Sequence, residues 1–260
     1  MARRVSSRKR PARDDFLLKE RNKIESEVFD RAALLALAKI MQKGVIERVE
    51  YPISTGKEAN VFLATSKGGE SAAVKIYKIE TTHFLRRKEY LEGDPRFKKF
   101  RGRERDLVFA FAQKEFKNLQ VCERAGVHAP KPLFFQKNIV VMEFLGREGK
   151  AFPTLIEAGP AEGDLESILL DVKRAYQAGL VHADLSEYNI LVHEGAPYLI
   201  DWGQGVALGH KKAQEYLERD VGNILKYFAS FGLEKDPKAI LAWIRDGMPT
   251  SSPEAAPRKG

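Results

Sequence analysis

Cysteine is almost missing from this chain of 260 residues: only Cys122 occurs, so no internal disulfide can form, which fits a reducing cytoplasm. Long apolar runs are missing too. None approaches the roughly 18 residues that span a bilayer, so no segment is expected to cross one. Phe16, Leu17 and Leu18 are cut off by Lys19 and Glu20 before they could form the apolar core of a signal peptide. A cytoplasmic location is therefore expected. Acid is absent from residues 1–13, which carry Arg3, Arg4, Arg8, Lys9, Arg10 and Arg13 within a net charge of +8. Two readings of this basic arm stay open, a contact for RNA or DNA phosphates and a solvated tail that aids solubility. The length suits one large domain or two lobes sharing a cleft.

What is present centres on His182 to Gln204, HADLSEYNILVHEGAPYLIDWGQ. Asp184, Asn189 and Asp201 are spaced for a loop followed by a strand hairpin. The apolar groups Ile190–Leu191–Val192 and Tyr198–Leu199–Ile200 hold the polar side chains toward one site. Any one of the three alone reads as turn chemistry. Together they suit phosphoryl transfer, in which one carboxylate orients the attacking hydroxyl while an amide and a second carboxylate hold magnesium against phosphates. H-x-D-x-x-x-x-N followed by a strand ending in Asp is the pattern of protein kinases and of kinases for small molecules.

The rest of the chain supplies the matching parts. Residues 14–43 read as helix, with Phe29, Ala32, Ala33, Ala36, Leu37 and Ile40 at helical spacing and Gly44 as a stop. Short β-rich runs follow from Ile46 to Tyr77, with a hairpin turn at Lys67, Gly68 and Gly69. Ser54, Thr55 and Lys57 lie in a turn of small residues able to approach phosphates; it lacks the three glycines of the usual kinase loop and is not a P-loop. Lys75, in the apolar run AAVKIY, needs an acidic partner. Glu115 is the odd member of the stripe Val108, Phe111, Ala112, Leu119 and Cys122, and is assigned to it, ahead of the alternatives Lys78 and Glu104. Met142 is expected behind an adenine, with the backbone of Glu143 and Leu145 at its edge and Val61, Ala73, Leu191 and Ile200 enclosing the ring. Residues 82–106 are basic and broken by Gly93, Pro95 and Gly102. They form either a surface for an anionic partner or a short solvated helix near His83 to Leu91 and a loop. Helices are expected over Asp164 to Gln177, with Asp164 as N-cap, and over about Ala213 to Phe231 and Pro237 to Arg245.

The motifs STGKEANV, HADLSEYN and IDWGQ together resemble the RIO family of atypical protein kinases, its first subfamily in particular, over about Glu20 to Trp243. The resemblance implies an α+β, two-lobed protein-kinase-like fold. Its N-lobe is an antiparallel β-sheet with one long helix, its C-lobe is mainly helical and truncated, and a helical extension precedes both. The expected division is a basic arm at 1–13, the extension at 14–45, the N-lobe at 46–144 with a flexible insertion at 82–106, the C-lobe at 145–248 and a tail at 249–260. The lead-in is too short for the winged helix of the second subfamily, and the compact size points to an archaeal source.

The resemblance also implies a function: a serine kinase and ATPase in small ribosomal subunit assembly, with ATP, Mg2+ or Mn2+, a pre-ribosomal particle and rRNA as ligands and partners. In it Asp184 is the catalytic base, Asn189 and Asp201 bind the metal, Lys75 holds the phosphates, and Asp201 is the candidate phosphoryl acceptor. Ala-Pro-Glu is absent, leaving no room for an activation segment. Ser186 stands where ordinary protein kinases have a lysine, so slow turnover is expected. Family members autophosphorylate in the long loop, yet residues 83–117 contain no Ser or Thr, and only Thr81 and Thr82 lie at its edge. Two other functions stay open: a small-molecule phosphotransferase of the aminoglycoside or choline kinase type, and a scaffold that binds RNA and uses ATP only as a ligand.

Overall fold

The computed structural model describes residues 31–79, 89–92, 94 and 104–246. The basic arm at 1–13, residues 14–30 of the expected helical extension, most of the 82–106 insertion and the tail at 249–260 lie outside the described residues. Among the described residues, no helix is long and apolar enough to cross a membrane.

Helix α1 (Arg31–Gln42) buries Ala33, Ala36, Leu37 and Ile40, which recur every three to four residues along one face. Three strands follow: β1 (Arg48–Thr55), β2 (Ala59–Thr65) and β3 (Ser71–Tyr77). After the short helix α2 (Glu89–Glu92) and the long helix α3 (Glu104–Ala125) come β4 (Pro132–Gln136) and β5 (Ile139–Glu143). These strands form one antiparallel sheet in the order β1-β2-β3-β5-β4.

Side chains alternate across a sheet with period two, and here each set meets a different core. Phe62, Ala64, Ala72, Val74, Ile76, Ile139 and Val141 pack with α1 behind the sheet. Leu63, Ala73, Tyr77, Val140 and Met142 join α3 on the other face, in a core that continues into the C-terminal half.

That half contains a small hairpin, β6 (Gly146–Arg147) and β7 (Lys150–Ala151), then α4 (Leu155–Ala158) and α5 (Asp164–Gln177). Strand β8 (Leu180–Val181) leads to the catalytic-loop motif and a single 3-10 turn (Glu187–Asn189). The hairpin β9 (Ile190–His193) and β10 (Ala196–Leu199) follows, then β11 (Val206–Ala207), which pairs back with β8. Helices α6 (Ala213–Ala229) and α7 (Pro237–Arg245) complete it. The fold is the expected two-lobed, protein-kinase-like α+β arrangement.

Three local expectations are corrected. The N-cap of α5 is Gly163, while the Asp164 carboxylate accepts from the Ala161 N–H at 2.7 Å. Helix α3 begins at Glu104, so the last residues assigned to the insertion are helical. The helix near Leu91, expected as one alternative to be solvated, is buried at its described end: Leu91 is in the core, and Tyr90 stacks on Tyr216 with ring centroids 5.2 Å apart. Aromatic and aliphatic area outweighed the charged neighbours.

Helix α1 packs on the back of the sheet through Ala33, Ala36, Leu37 and Ile40, an apolar contact that helps attach it. Replacing the fully buried Ile40 by alanine should cost about 2–5 kcal/mol, read as a lowered urea midpoint with native secondary structure retained.

Candidate active site

A cleft of about 1060 Å³ lies between the sheet and the C-terminal half. Of the residues singled out from sequence, Ser54, Lys57, Val61, Ala73, Lys75, Glu115, Met142, Glu143, Leu145, Asn189, Leu191, Ile200 and Asp201 all line it. Thr55 does not. Ile53, Ser54 and Gly56 around it do, because strict alternation is broken in this strand by a register shift between Pro52 and Ser54. The turn after it is tight: Gly56 N–H donates to the Ala59 carbonyl at 2.9 Å, and Lys78 Nζ donates to the Gly56 carbonyl at 2.8 Å.

Lys75 is the hub. From β3 its Nζ donates to Glu115 Oε1 on α3 at 2.6 Å and to Asp201 Oδ1 at 2.9 Å. Tyr77, two residues on and so on the same face, donates its hydroxyl to Glu115 Oε2 at 2.6 Å, which fixes both oxygens of that carboxylate. Burial by itself would lower the Lys75 pKa, but Asp201 and Glu115 outweigh it and hold the ammonium well above its usual 10.5. Asp201 itself is partly exposed, at 43% of its side chain, and adopts a left-handed backbone with φ 61°. A non-glycine residue in that region is held there by its surroundings.

The catalytic-loop motif is held from behind. Ala183, also left-handed at φ 64°, donates its N–H to Asp220 Oδ2 at 2.7 Å, and Leu185 N–H donates to Asp220 Oδ1 at 3.1 Å. Arg219 donates to the Ala183 carbonyl, and Asn223 Nδ2 to the Leu185 carbonyl at 3.1 Å. Asp184 thus projects from a loop anchored to α6. Asn189 Nδ2 donates to the Asp184 carbonyl at 2.8 Å, which orients the amide so that its oxygen is the remaining acceptor.

The expectation that three oxygen-bearing side chains face one cavity needs adjustment. Asn189 and Asp201 line the cleft, whereas Asp184 is not among its lining residues, and its Oδ2 accepts from Gln204 Nε2 at 2.5 Å.

Sequence reasoning overlooked several members of this site. Tyr77 reads in sequence as an ordinary strand aromatic, although its spacing of two from Lys75 places both on one face. Phe152, Pro153 and Thr154 line the cleft from a segment without a recognisable motif, and Tyr188 lines it from within the HADLSEYN motif itself. Lys114 and Asn118 are fully buried on α3. They lie at i and i+4 on the face of Leu107, Phe111 and Cys122, a periodic signal that could have found them. Asp220 lies 36 residues beyond Asp184, and no local pattern connects the two.

This architecture defines a two-lobed phosphotransferase of the protein-kinase type. Residues 60–240 match the family model described as the RIO domain. The RIO-type serine/threonine-protein kinase Rio1 of Haloferax volcanii is 39% identical over 247 residues, which cover 93% of this chain and 85% of the relative. The Rio1 protein of Thermoplasma acidophilum is 42% identical over 185 residues, 71% of this chain and 98% of the relative. Human serine/threonine-protein kinase RIO1 is 37% identical over 209 residues, but these make up only 37% of that longer protein. A crystal structure of Rio2 kinase from Chaetomium thermophilum, titled as an ADP/Mg2+-phosphoaspartate complex, superimposes with a TM-score of 0.63 at 22% identity, covering 84% of this chain and 68% of that one. The chain belongs to the RIO family, on its Rio1 side.

Two buried groups give the site a pH signature. Burial lowers the His182 imidazole to about 4; its Nε2 donates to the Ile200 carbonyl at 2.9 Å, and Nδ1 has no partner among the described residues. The unfolded value is about 6.5. As pH falls from about 6.5 to about 4, the unfolded chain therefore takes up a proton that the native chain refuses, and stability on the order of 3 kcal/mol is lost. Asp220 acts oppositely: burial raises its carboxyl to about 7 against its two N–H donors, so its contribution is present at low pH and fades as pH rises from about 3.8 to about 7. The two slopes cancel between about pH 4 and 6.5. His182→Gln, which keeps a donor for Ile200, should expose the Asp220 slope, with urea-measured stability falling as pH rises through that window.

Proposed function

We propose that this chain is an ATP- and Mg2+-dependent RIO-type serine/threonine protein kinase that also hydrolyses ATP, and that it acts in maturation of the small ribosomal subunit. The carrying observation is the contact of Lys75 with both Glu115 and Asp201 at the floor of a nucleotide-sized cleft. A buried ammonium held charged by two carboxylates is poised to meet phosphate oxygens. Asp184, anchored through its loop to Asp220, is the base that receives the proton of the attacking hydroxyl. Val61, Ala73, Met142, Leu191 and Ile200 form the slot for the adenine, with the backbone of Glu143 and Leu145 at its edge.

Asn189 and Asp201 offer hard oxygen ligands on one side of the cleft, which suits Mg2+ (or Mn2+) completed by phosphate and water oxygens. Bound there, the ion would neutralise charge on the phosphates. The Rio2 structure with ADP, Mg2+ and phosphoaspartate supports an ATPase route through Asp201. In that route a carboxylate oxygen of Asp201 bonds to the γ-phosphorus as the bond to the β–γ bridging oxygen breaks. ADP leaves, and water then hydrolyses the acyl phosphate. Partly exposed and lining the cleft, Asp201 is accessible for it. The basic arm and the net charge of +8 favour an rRNA-containing particle as partner; the acceptor serine would belong to a protein of that particle.

ATP hydrolysis and ³²P transfer, measured with Mg2+ in the presence and absence of small-subunit precursor particles, test the reading. Asp184→Ala should lower transfer by about 10²–10⁴-fold with nucleotide still bound, and Lys75→Ala should weaken nucleotide binding or positioning. A hydroxylamine-labile label that disappears in Asp201→Asn would mark the aspartyl route. Nucleotide and RNA binding with no turnover by the wild type would replace this reading with a scaffold.

A further inference from the structure

One face of α3 carries a second polar array, behind the cleft and separate from Glu115. Lys114 Nζ donates to the carbonyls of Gly203 at 3.1 Å and Gln204 at 2.8 Å. Asn118 Nδ2 donates to those of Trp202 at 2.8 Å and Gly205 at 2.9 Å. Four consecutive carbonyls thus converge on two side chains one helical turn apart, both fully buried. The turn is closed by Gly205 N–H donating to the Trp202 carbonyl at 3.1 Å. Its glycines are needed for this approach: a Cβ on Gly205 would stand 2.8 Å from Asn118 Nδ2, and one on Gly203 would stand 2.7 Å from the Tyr77 hydroxyl. Converging carbonyl dipoles create a negative focus, which the Lys114 ammonium neutralises; Asn118 adds its two N–H donors without charge.

The clamped turn is connected to both acids of the site. It follows directly on Asp201, and from it Gln204 donates to Asp184 Oδ2. We propose that Lys114 and Asn118 are positioning residues that fasten residues 202–205 to α3, and through that turn set Asp201 and Asp184 together. This role rests on the phosphoryl-transfer reading for its catalytic consequence, though the clamp itself does not.

The test uses the full chain carrying Trp243→Phe, which leaves Trp202 as the single tryptophan, fully buried in the clamped turn. Lys114→Met keeps the length of the side chain and removes its charge. It should make Trp202 emission readily quenched by acrylamide. The kcat for ATP turnover should fall by about 10²-fold, the scale of a misplacement near 1 Å, and half-maximal activity should need more Mg2+, with nucleotide affinity close to that of the parent. Gln204→Leu should lower kcat while leaving Trp202 shielded and the Mg2+ requirement unchanged, because it cuts only the link to Asp184. In Lys114→Ala, propylammonium should restore activity and shielding where 1-propanol does not. Should Lys114→Met fail to fold, Asn118→Leu carries the same readouts. A folded Lys114→Met with Trp202 still shielded and kcat near that of the parent overturns the proposal. If the parent itself turns over no ATP, quenching still decides the clamp, and only the function reading fails.

Discussion

A single ammonium group, Lys75 Nζ, sets the constraint that the rest of the structure satisfies. It is buried in the sheet face toward the cleft, and an unpaired charge there would be costly. Its two carboxylate partners come from α3 and from the loop after β10, so the contact joins the sheet, the long helix and the C-terminal half at one point. Tyr77 occupies the remaining oxygen of Glu115, leaving that carboxylate no alternative orientation. Remove the ammonium and two acids face each other without compensation.

The surrounding backbone is built to keep those partners in place. Both Ala183 and Asp201 sit in the left-handed region without being glycine, and each is braced. Asp220 accepts from the N–H groups on either side of Asp184, while the His182 imidazole donates to the carbonyl just before Asp201. Helix α3 therefore serves two functions with adjacent residues: Glu115 reaches forward into the cleft, and Lys114 reaches to the turn behind it. One rigid helix determines where both ends of the 201–205 segment lie.

The match to archaeal Rio1 proteins over most of their length, and to only 37% of the human protein, shows that this compact two-lobed unit is what the relatives share. Within it the sheet is simple to explain. Alternating residues of β2, β3 and β5 feed a core with α1 on one face and a core with α3 on the other. That alternation is also why Lys75 and Tyr77, but not the intervening Ile76, reach the cleft.

Much of this was written in local pattern. The helices at Asp164–Gln177 and Pro237–Arg245 have the bounds their periodicity implied, and the β9–β10 hairpin follows from two short apolar runs around Glu194–Gly195. Pairing of Lys75 with Glu115 was legible because an acid in an apolar helical stripe and a lysine in an apolar strand each demand a partner. Thr55 shows the limit: its turn was recognised, but which residues of that turn reach the cleft depends on the irregular register of β1 around Pro52.

Sequence by itself determined the element types, the phosphotransferase motifs and the charge that had to be matched, since these follow from spacing within about 20 residues. Tertiary structure alone decided that Asp184 would accept from Gln204, that Asp220 would brace its loop, and that Lys114 and Asn118 would gather four carbonyls. Those contacts join segments 20 to 90 residues apart, and a hydrogen bond across such a separation has no local periodicity to announce it.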